Sequence, residues 1–446
     1  MKLTLERKVR FNLTVSLCSV TCICGLSLFP GALQATAEEK LADIKLVDKQ
    51  MQSCLEKLSR SKTFVSELHD FYCGSLSIST LSGLEHLSAL HSIALTKTKM
   101  LDLAPLGKLI NLKRVDLSHS QISDIAVLSA LTNLETLTLI GTEVKSLAAL
   151  NSLSKLKFLY LTGLKLENLG SFDKGPALEE LNLYGNRLTS TEQLLKFPTL
   201  RKLDLQRNEL VDVSPLAALS ALEYLDVSKN KLESIQALMT LKRLKELKVG
   251  ENRITVLPPL NNLVALENLV MWHNQLAQVA PFNGLPALKY INLDGNRIAS
   301  SLHLKDLPQL TLLSANSNRL THLEVASELS SLKELSLVGN NVSELSWLVK
   351  VPALEKLRLS ENPLTDISPL ARFAKLETLA VGKSGVKLTA LGSLASLPKL
   401  TALHLKDAAI INCSEALQLK QKNGLQFTLP GSCAGNKRTS AVAAKK

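Results

Sequence analysis

Aromatic residues are scarce in this 446-residue chain: Phe, Trp and Tyr together make up 4% of it. Aromatics dominate core burial in compact proteins, so their shortage argues against three ordinary globular domains of ~150 residues each. Long apolar runs are also scarce. Beyond the first 37 residues no stretch approaches the ~20 unbroken apolar residues of a membrane-spanning helix. No Gly-rich phosphate loop, His-Glu-x-x-His or Gly-x-Ser-x-Gly signature occurs. The eight His are scattered, and Asp and Glu recur with a repeat, as on a solvated surface. No catalytic constellation emerges, so neither an enzyme nor a cofactor is expected. With 46% hydrophobic and 21% charged residues the chain is not disordered.

The N-terminus reads as an export signal. Lys2, Arg7, Lys8 and Arg10 precede a mainly apolar run from Phe11 to Leu33. Pro30 and Gly31 break the run, and Ala35-Thr36-Ala37 offers a cleavage site, so residues 1–37 are expected to be removed. No integral membrane segment is expected after that. Removal takes away four positive charges and one negative charge, lowering the net charge from +12 to +9. It leaves Cys54, Cys73, Cys413 and Cys433, an even number that suggests disulfides in an exported chain. Of three possible pairings the local one is favoured, Cys54–Cys73 with Cys413–Cys433, each closing a loop worth ~3 kcal/mol. No Cys-x-x-Cys or close His pair supports a metal site instead.

Internal periodicity dominates the rest. Leucine recurs every 22 residues from Leu90 to Leu376, fourteen times without a slip, and a last unit opens at Leu400 after a two-residue insertion. Each unit repeats one phrase, as in Leu200-Arg-Lys-Leu203-Asp-Leu205-Gln-Arg-Asn208-Glu-Leu210. The alternating leucines predict a short strand with every second residue inward. An Asn then turns the chain and can satisfy backbone groups that the turn leaves unpaired. Nine consecutive units carry it: Asn186, Asn208, Asn230, Asn252, Asn274, Asn296, Asn318, Asn340 and Asn362. Each unit returns with Leu every three residues, which suits 3₁₀ turns or extended chain better than long helices. One unit cannot bury its leucines, but stacked units share a continuous core and a parallel sheet.

This pattern resembles the leucine-rich repeat family, and within it the 22-residue class of bacterial internalins. The Asp-x-Ser-Pro-Leu phrases at Asp212–Leu216 and Asp366–Leu370 carry the likeness, which covers about residues 68–411. It implies an α/β solenoid: a right-handed superhelix with a concave parallel sheet and a 3₁₀ or extended convex side. The turn position departs from Asn at both ends, with Thr98, Ser120, Thr142 and Leu164, then Ser384 and Ala408. The expected organisation is a signal over 1–37, an N-terminal cap with a divergent first repeat over 38–89, about 15 repeats over 90–411, and a cap with a basic disordered tail over 412–446. Leu41, Ile44, Val47, Met51, Cys54, Leu55 and Leu58 have helical spacing, which predicts a helix in the N-terminal cap, and a backward frame of 22 lands on Leu68-His-Asp-Phe71. Disulfides would staple both ends.

The expected concave face holds five residues per unit, 75 in all, with 16 Lys/Arg and 16 Asp/Glu. That balance opposes a nucleic-acid groove, which concentrates positive charge. One column alternates in sign from Lys113 through Glu135, Lys157, Glu179, Arg201, Glu223, Lys245 and Glu267 to Lys289, and is read as cross-strand ion pairs rather than a docking stripe. Aromatics mark the face more sharply: Tyr160, Tyr184, Tyr224, Tyr290 and Trp272 all fall on it, where chance would place fewer than one Tyr. Exposed aromatics are typical binding anchors. Val270, Trp272, Tyr290 and Leu312 are expected to form one apolar patch, and Ile140, Phe158, Tyr160 and Tyr184 a looser one, with Tyr224 also on this face. The internalin resemblance implies a non-enzymatic exported protein, secreted, at the cell surface or in the periplasm. It would bind a macromolecule, foremost a protein, on its concave face, with host-surface interaction and virulence in view. The aromatics leave a carbohydrate open. The chain lacks an internalin's C-terminal sorting signal, which weighs against direct display on a Gram-positive wall. A periplasmic scaffold of the envelope is the alternative.

Overall fold

The computed structural model describes residues 38–72, 77–99, 102–173, 177–383, 391–405, 413–421, 425–428 and 433. The expected signal, Cys73, Ser384, Ala408 and the tail from 434 lie outside the described residues. Residues Glu39–Lys446 form one compact unit, to which everything below refers.

In each repeat the middle leucine of the phrase sits at the centre of a three-residue strand and points inward. In Lys202–Asp204, for example, Leu203 is buried between outward-facing Lys202 and Asp204. Because the period is constant, neighbouring strands pair in parallel with partners 22 residues apart: Glu180 opposite Lys202, Lys202 opposite Tyr224, Tyr224 opposite Glu246. Seventeen strands join in parallel, from Asp70–Tyr72 to Gln426–Thr428, the last two pairings having partners 24 residues apart. The first is the divergent repeat before Leu90, and the last extends the sheet into the region read as a C-terminal cap. A single leucine core runs behind the whole sheet.

The turn chemistry is equally regular. From Lys97 to Lys383, every unit has positive φ at the residue preceding the Asn position, including Arg207 at 58° and Gly185 at 69°. That left-handed step swings the next side chain inward, where it ties two units together. Asn252 Nδ2 donates to its own unit at Val249 O (3.0 Å) and to the previous unit at Val227 O (3.0 Å). Its Oδ1 accepts from Leu232 N at 3.0 Å. All nine Asn are held this way, from Asn186 (Leu161 O, Leu183 O, Leu166 N) to Asn362 (Leu337 O, Leu359 O, Val342 N). In the earlier units hydroxyls stand in: Ser120 Oγ donates to Leu95 O and accepts from Thr98 N, and Thr142 Oγ1 donates to Leu139 O.

Eight of the described return segments are five-residue 3₁₀ turns, such as Ser214–Ala218 and Ser368–Arg372. The Asp-x-Ser-Pro-Leu phrase explains their start. Asp212 Oδ1 accepts from Ser214 N at 2.8 Å, Pro215 supplies a pre-set φ, and Leu216 turns into the core. Between Val256 and Val325 the return is extended instead. Val256–Leu257 pairs with Gln278–Val279, and Phe282–Asn283, Ala299–Lys305 and Arg319–Val325 form a three-stranded parallel sheet. In these strands core residues alternate with polar ones, as at Leu302-His303-Leu304, so period two replaces period three.

The N-terminal cap differs from its reading. The helix spans Lys49–Leu58 only, and Val47 is 67% exposed rather than on a buried helical face. Asp48 sets the boundary: its Oδ1 accepts from Gln50 N and Met51 N, while its Oδ2 accepts from Ser79 N and Ser79 Oγ. Burial alone would raise this carboxyl, but those four hydrogen bonds hold it below its usual range. Cys54 is disulfide-bonded, while its expected partner Cys73 lies outside the described residues. At the other end Cys413 and Cys433 form a disulfide beside the helix Cys413–Lys420.

Candidate functional site

Three-residue strands present two outward side chains each, and constant register lines these up across the sheet. One row runs without a shift through Thr136, Phe158, Glu180, Lys202, Tyr224, Glu246, Asn268, Tyr290, Leu312 and Glu334. Its aromatics, Phe158, Tyr224 and Tyr290, are half-buried and three strands apart. Between the first two lies an open cleft of about 640 Å³, whose lining includes Glu180, Asn182, Lys202 and Asp204.

The alternating column at the edge of this face resolves into separate ion-paired groups. Lys157 Nζ lies 3.1 Å from Glu179, and Lys289 Nζ lies 2.7 Å from Glu267. Glu223 takes both Arg201 (2.6 Å) and Lys245 (2.8 Å), which hold its carboxyl below the usual range. Within the aromatic row Lys202 Nζ lies 3.5 Å from Glu180 Oε2. Each pair joins adjacent units, so the face largely neutralises itself.

The next row along the strands does not. Asp204 and Asp226 stand side by side in register, and neither has a Lys or Arg within 4.0 Å among the described residues. Burial pushes both carboxyls up, against hydrogen bonds from Gln206 N to Asp204 and from Ser228 N to Asp226. Asn182 Nδ2 also donates to Asp204 Oδ2 at 3.1 Å. The nearby cation, Lys248, is the register partner of Asp226 and works against the burial effect on both carboxyls, but its Nζ lies closest to Glu246 Oε1, at 2.7 Å, and 4.9 Å from the Tyr224 ring centre. Burial likewise raises the Tyr224 hydroxyl, and Asp226 adds to the effect. Tyr160, in the same row as the Asp pair, donates to Glu180 Oε1 at 3.1 Å, and burial with the Glu180 charge pushes it up to about 12.

The residues singled out from sequence all stand on this face, half-buried. Tyr290 and Leu312 are direct register partners. Val270 lies one row away, opposite Asn292, and Trp272 turns toward the preceding strand. The Trp272 indole covers Gly250, where an added Cβ would lie 2.6 Å from Nε1, while Lys229 Nζ sits 5.9 Å from the ring centre. Phe158 and Tyr160 share one strand, and Tyr184 follows the next. Sequence reasoning did not single out Asp204 and Asp226. The available signal was two consecutive units with Asp at the same outward position, beside units whose charges alternate.

Two further groupings concern histidine. The His69 and His91 rings lie with centres 4.8 Å apart, tilted 51° to one another. On the convex sheet His303 Nδ1 lies 2.7 Å from Glu324 Oε2, and His322 Nε2 lies 3.7 Å from Glu324 Oε1. Among the described residues no group of three or more His, Cys, Asp or Glu is arranged to hold a metal ion, and no helix is long and apolar enough to cross a membrane.

A family profile described as leucine rich repeat matches residues 198–254, and one for two copies of the repeat matches 176–218 and 330–372. Among solved structures the chain is similar to an internalin (InlF) of Listeria monocytogenes, at 22% identity and a TM-score of 0.53 over 83% of this chain and 98% of that one. It is also similar to a leucine-rich repeat protein of Leptospira interrogans, at 21% identity and 0.63 over 84% and 98%. The functional domain of InlJ from Listeria monocytogenes, which includes a cysteine ladder, gives 18% and 0.57 over 82% of each chain. No curated protein matches. At these identities the likeness is one of fold.

Proposed function

We propose that this chain, a leucine-rich repeat protein with an internalin-like fold, is an exported, non-enzymatic recognition protein that binds a protein partner on the open face of its sheet. One observation carries the reading. Large aromatics stand half-buried on a face whose Lys and Glu already satisfy one another. Exposed ion pairs of that kind contribute little to affinity, whereas Tyr and Trp bury a large rigid surface when a partner covers them. The Cys413–Cys433 disulfide supports passage into an oxidising compartment, in line with the signal-like N-terminus.

The test is capture of partners by the chain from Glu38 onward, from host-cell surface extract and from the producer's own envelope extract. A Trp272→Ala/Tyr290→Ala version runs alongside. A host protein held by the first form and lost by the second is the expected result. Capture only from the producer's envelope moves the reading to a periplasmic scaffold, and capture unaffected by the double substitution refutes this face as the binding site.

A further inference from the structure

Phe158, Tyr224 and Tyr290 belong to one unbroken row of register partners, each three strands from the next. Paired strands lie ~4.8 Å apart, so successive aromatics are ~14 Å apart along the row. That distance selects among the shapes a partner can present. An extended segment advances ~3.4 Å per residue and turns every second side chain to one side, so residues i and i+4 lie about 13.6 Å apart on one face. An α-helix returns to one face at ~11 Å or ~16 Å, after two or three turns, and so straddles the spacing. A polyproline helix returns every ~9.3 Å and misses it as well.

The charges beside the row add a second constraint. Residue i+2 of such a segment falls between Glu180 and Lys202, which are paired with each other. From the same two strands rise Asn182 and Asp204, and next to Asp204 stands Asp226. Asp204 is half-buried and Asp226 buried, and although Lys248 is the register partner of Asp226, neither carboxylate has a cation within 4.0 Å among the described residues. A cationic side chain at i+2 is long enough to reach Asp204.

We infer that the open face takes an extended protein segment laid across its strands, with apolar side chains at i, i+4 and i+8 seated on Phe158, Tyr224 and Tyr290 and a Lys or Arg at i+2 reaching the half-buried Asp204, whose neighbour Asp226 is buried behind it. Leu312, the register partner of Tyr290, widens the third seat. The inference deepens the reading of this face as the binding surface, and the two fail separately. A partner that is captured here and lost on aromatic substitution, yet docks through a helix, sinks only the extended geometry.

The test is selection of peptides from a random 12-residue displayed library on the purified protein, followed by reading the spacing of the selected side chains. The expected outcome is large apolar residues at i and i+4, often also at i+8, with Lys or Arg enriched at i+2. Synthetic copies should lose at least tenfold in affinity for Tyr224→Ala. Since that change removes a half-buried ring, Asp204→Asn with Asp226→Asn provides a second measurement, expected to abolish the preference for a basic residue at i+2 while leaving the apolar spacing unchanged. Helical spacing among the selected peptides, no recovered spacing, or affinity indifferent to both sets of substitutions overturns the inference.

Discussion

The Asn ladder makes a prediction that runs against the usual expectation that repeat arrays are most sensitive at their centres. Each interior carbonyl in the ladder accepts two amides: Val227 O takes Asn230 and Asn252, and Val249 O takes Asn252 and Asn274. Asn252→Ala therefore leaves both carbonyls with one donor and orphans a single buried group, Leu232 N, whose acceptor was Asn252 Oδ1. Asn186 begins the ladder, because the preceding unit has Leu164 at that position. Among the described residues its amide is the one donor to Leu161 O, so Asn186→Ala orphans Leu161 O as well as Leu166 N. A buried polar group left unpaired costs ~1–3 kcal/mol. Asn186→Ala should then destabilise by ~1–3 kcal/mol more than Asn252→Ala, although it lies nearer the end of the sheet. Urea denaturation followed by circular dichroism measures the difference, with an unchanged m-value confirming that both variants lose the same structure. Native-state hydrogen exchange supplies a local check, since Leu232 N–H should lose protection in Asn252→Ala. Equal costs, or a larger cost at Asn252, would refute the reasoning from paired acceptors.

Three other perturbations are expected to act as follows. Gly250→Ala places a Cβ 2.6 Å from Trp272 Nε1, so the indole must swing off the strand and its emission should shift to the red; an unchanged spectrum in a folded variant contradicts the placement. Asp204→Asn tests the buried pair: burial raises the folded Asp204 carboxyl above its unfolded value, so ionisation costs stability in full above the folded pKa, and the cost fades as pH falls below it. The Asn variant should therefore melt higher than the parent at neutral to alkaline pH and lose that advantage toward pH ~4; a constant difference across the range counts against the burial effect. Reduction of Cys413–Cys433, which closes a loop of 20 residues, should release the end strand Gln426–Thr428 at a local cost of ~3 kcal/mol, read as faster exchange there and little change near Asn252.

The fold was legible because one period governs everything that builds it. A spacing of 22 places Leu203, Leu225 and Leu247 at the centres of successive strands, and the same spacing brings Asn208, Asn230 and Asn252 into one ladder. Departures from that period were harder to read. From Val256 to Val325 the leucine frame on the sheet side continues unchanged, so nothing there announces that the return segments become strands. The sign lies instead in the change from three-residue to two-residue alternation at Leu302-His303-Leu304. The strand Gln426–Thr428 follows its neighbour by 24 residues rather than 22, which hides it from a search at fixed period. The N-terminal helix was overextended because apolar spacing continues through Leu41 and Ile44, whereas Asp48 caps the chain at Lys49.

The candidate site was legible in composition and not in direction. A Tyr or Trp at an outward position can be counted from sequence, but its rotamer depends on what the neighbouring strand leaves open. Trp272 leans over Gly250 because that unit lacks a side chain there. The Asp204–Asp226 pair was hidden for a related reason. Charge along a sequence averages to zero on this face, yet stability and recognition depend on which charges meet across strands. Arg201, Glu223 and Lys245 meet and cancel, while Asp204 and Asp226 stand side by side and their neighbour Lys248 forms its ion pair with Glu246 instead. A face built this way separates two tasks: its edge column keeps many like units compatible in a stack, and the interruptions of that pattern, aromatic or acidic, are where a partner can gain binding energy that the protein does not already satisfy within itself.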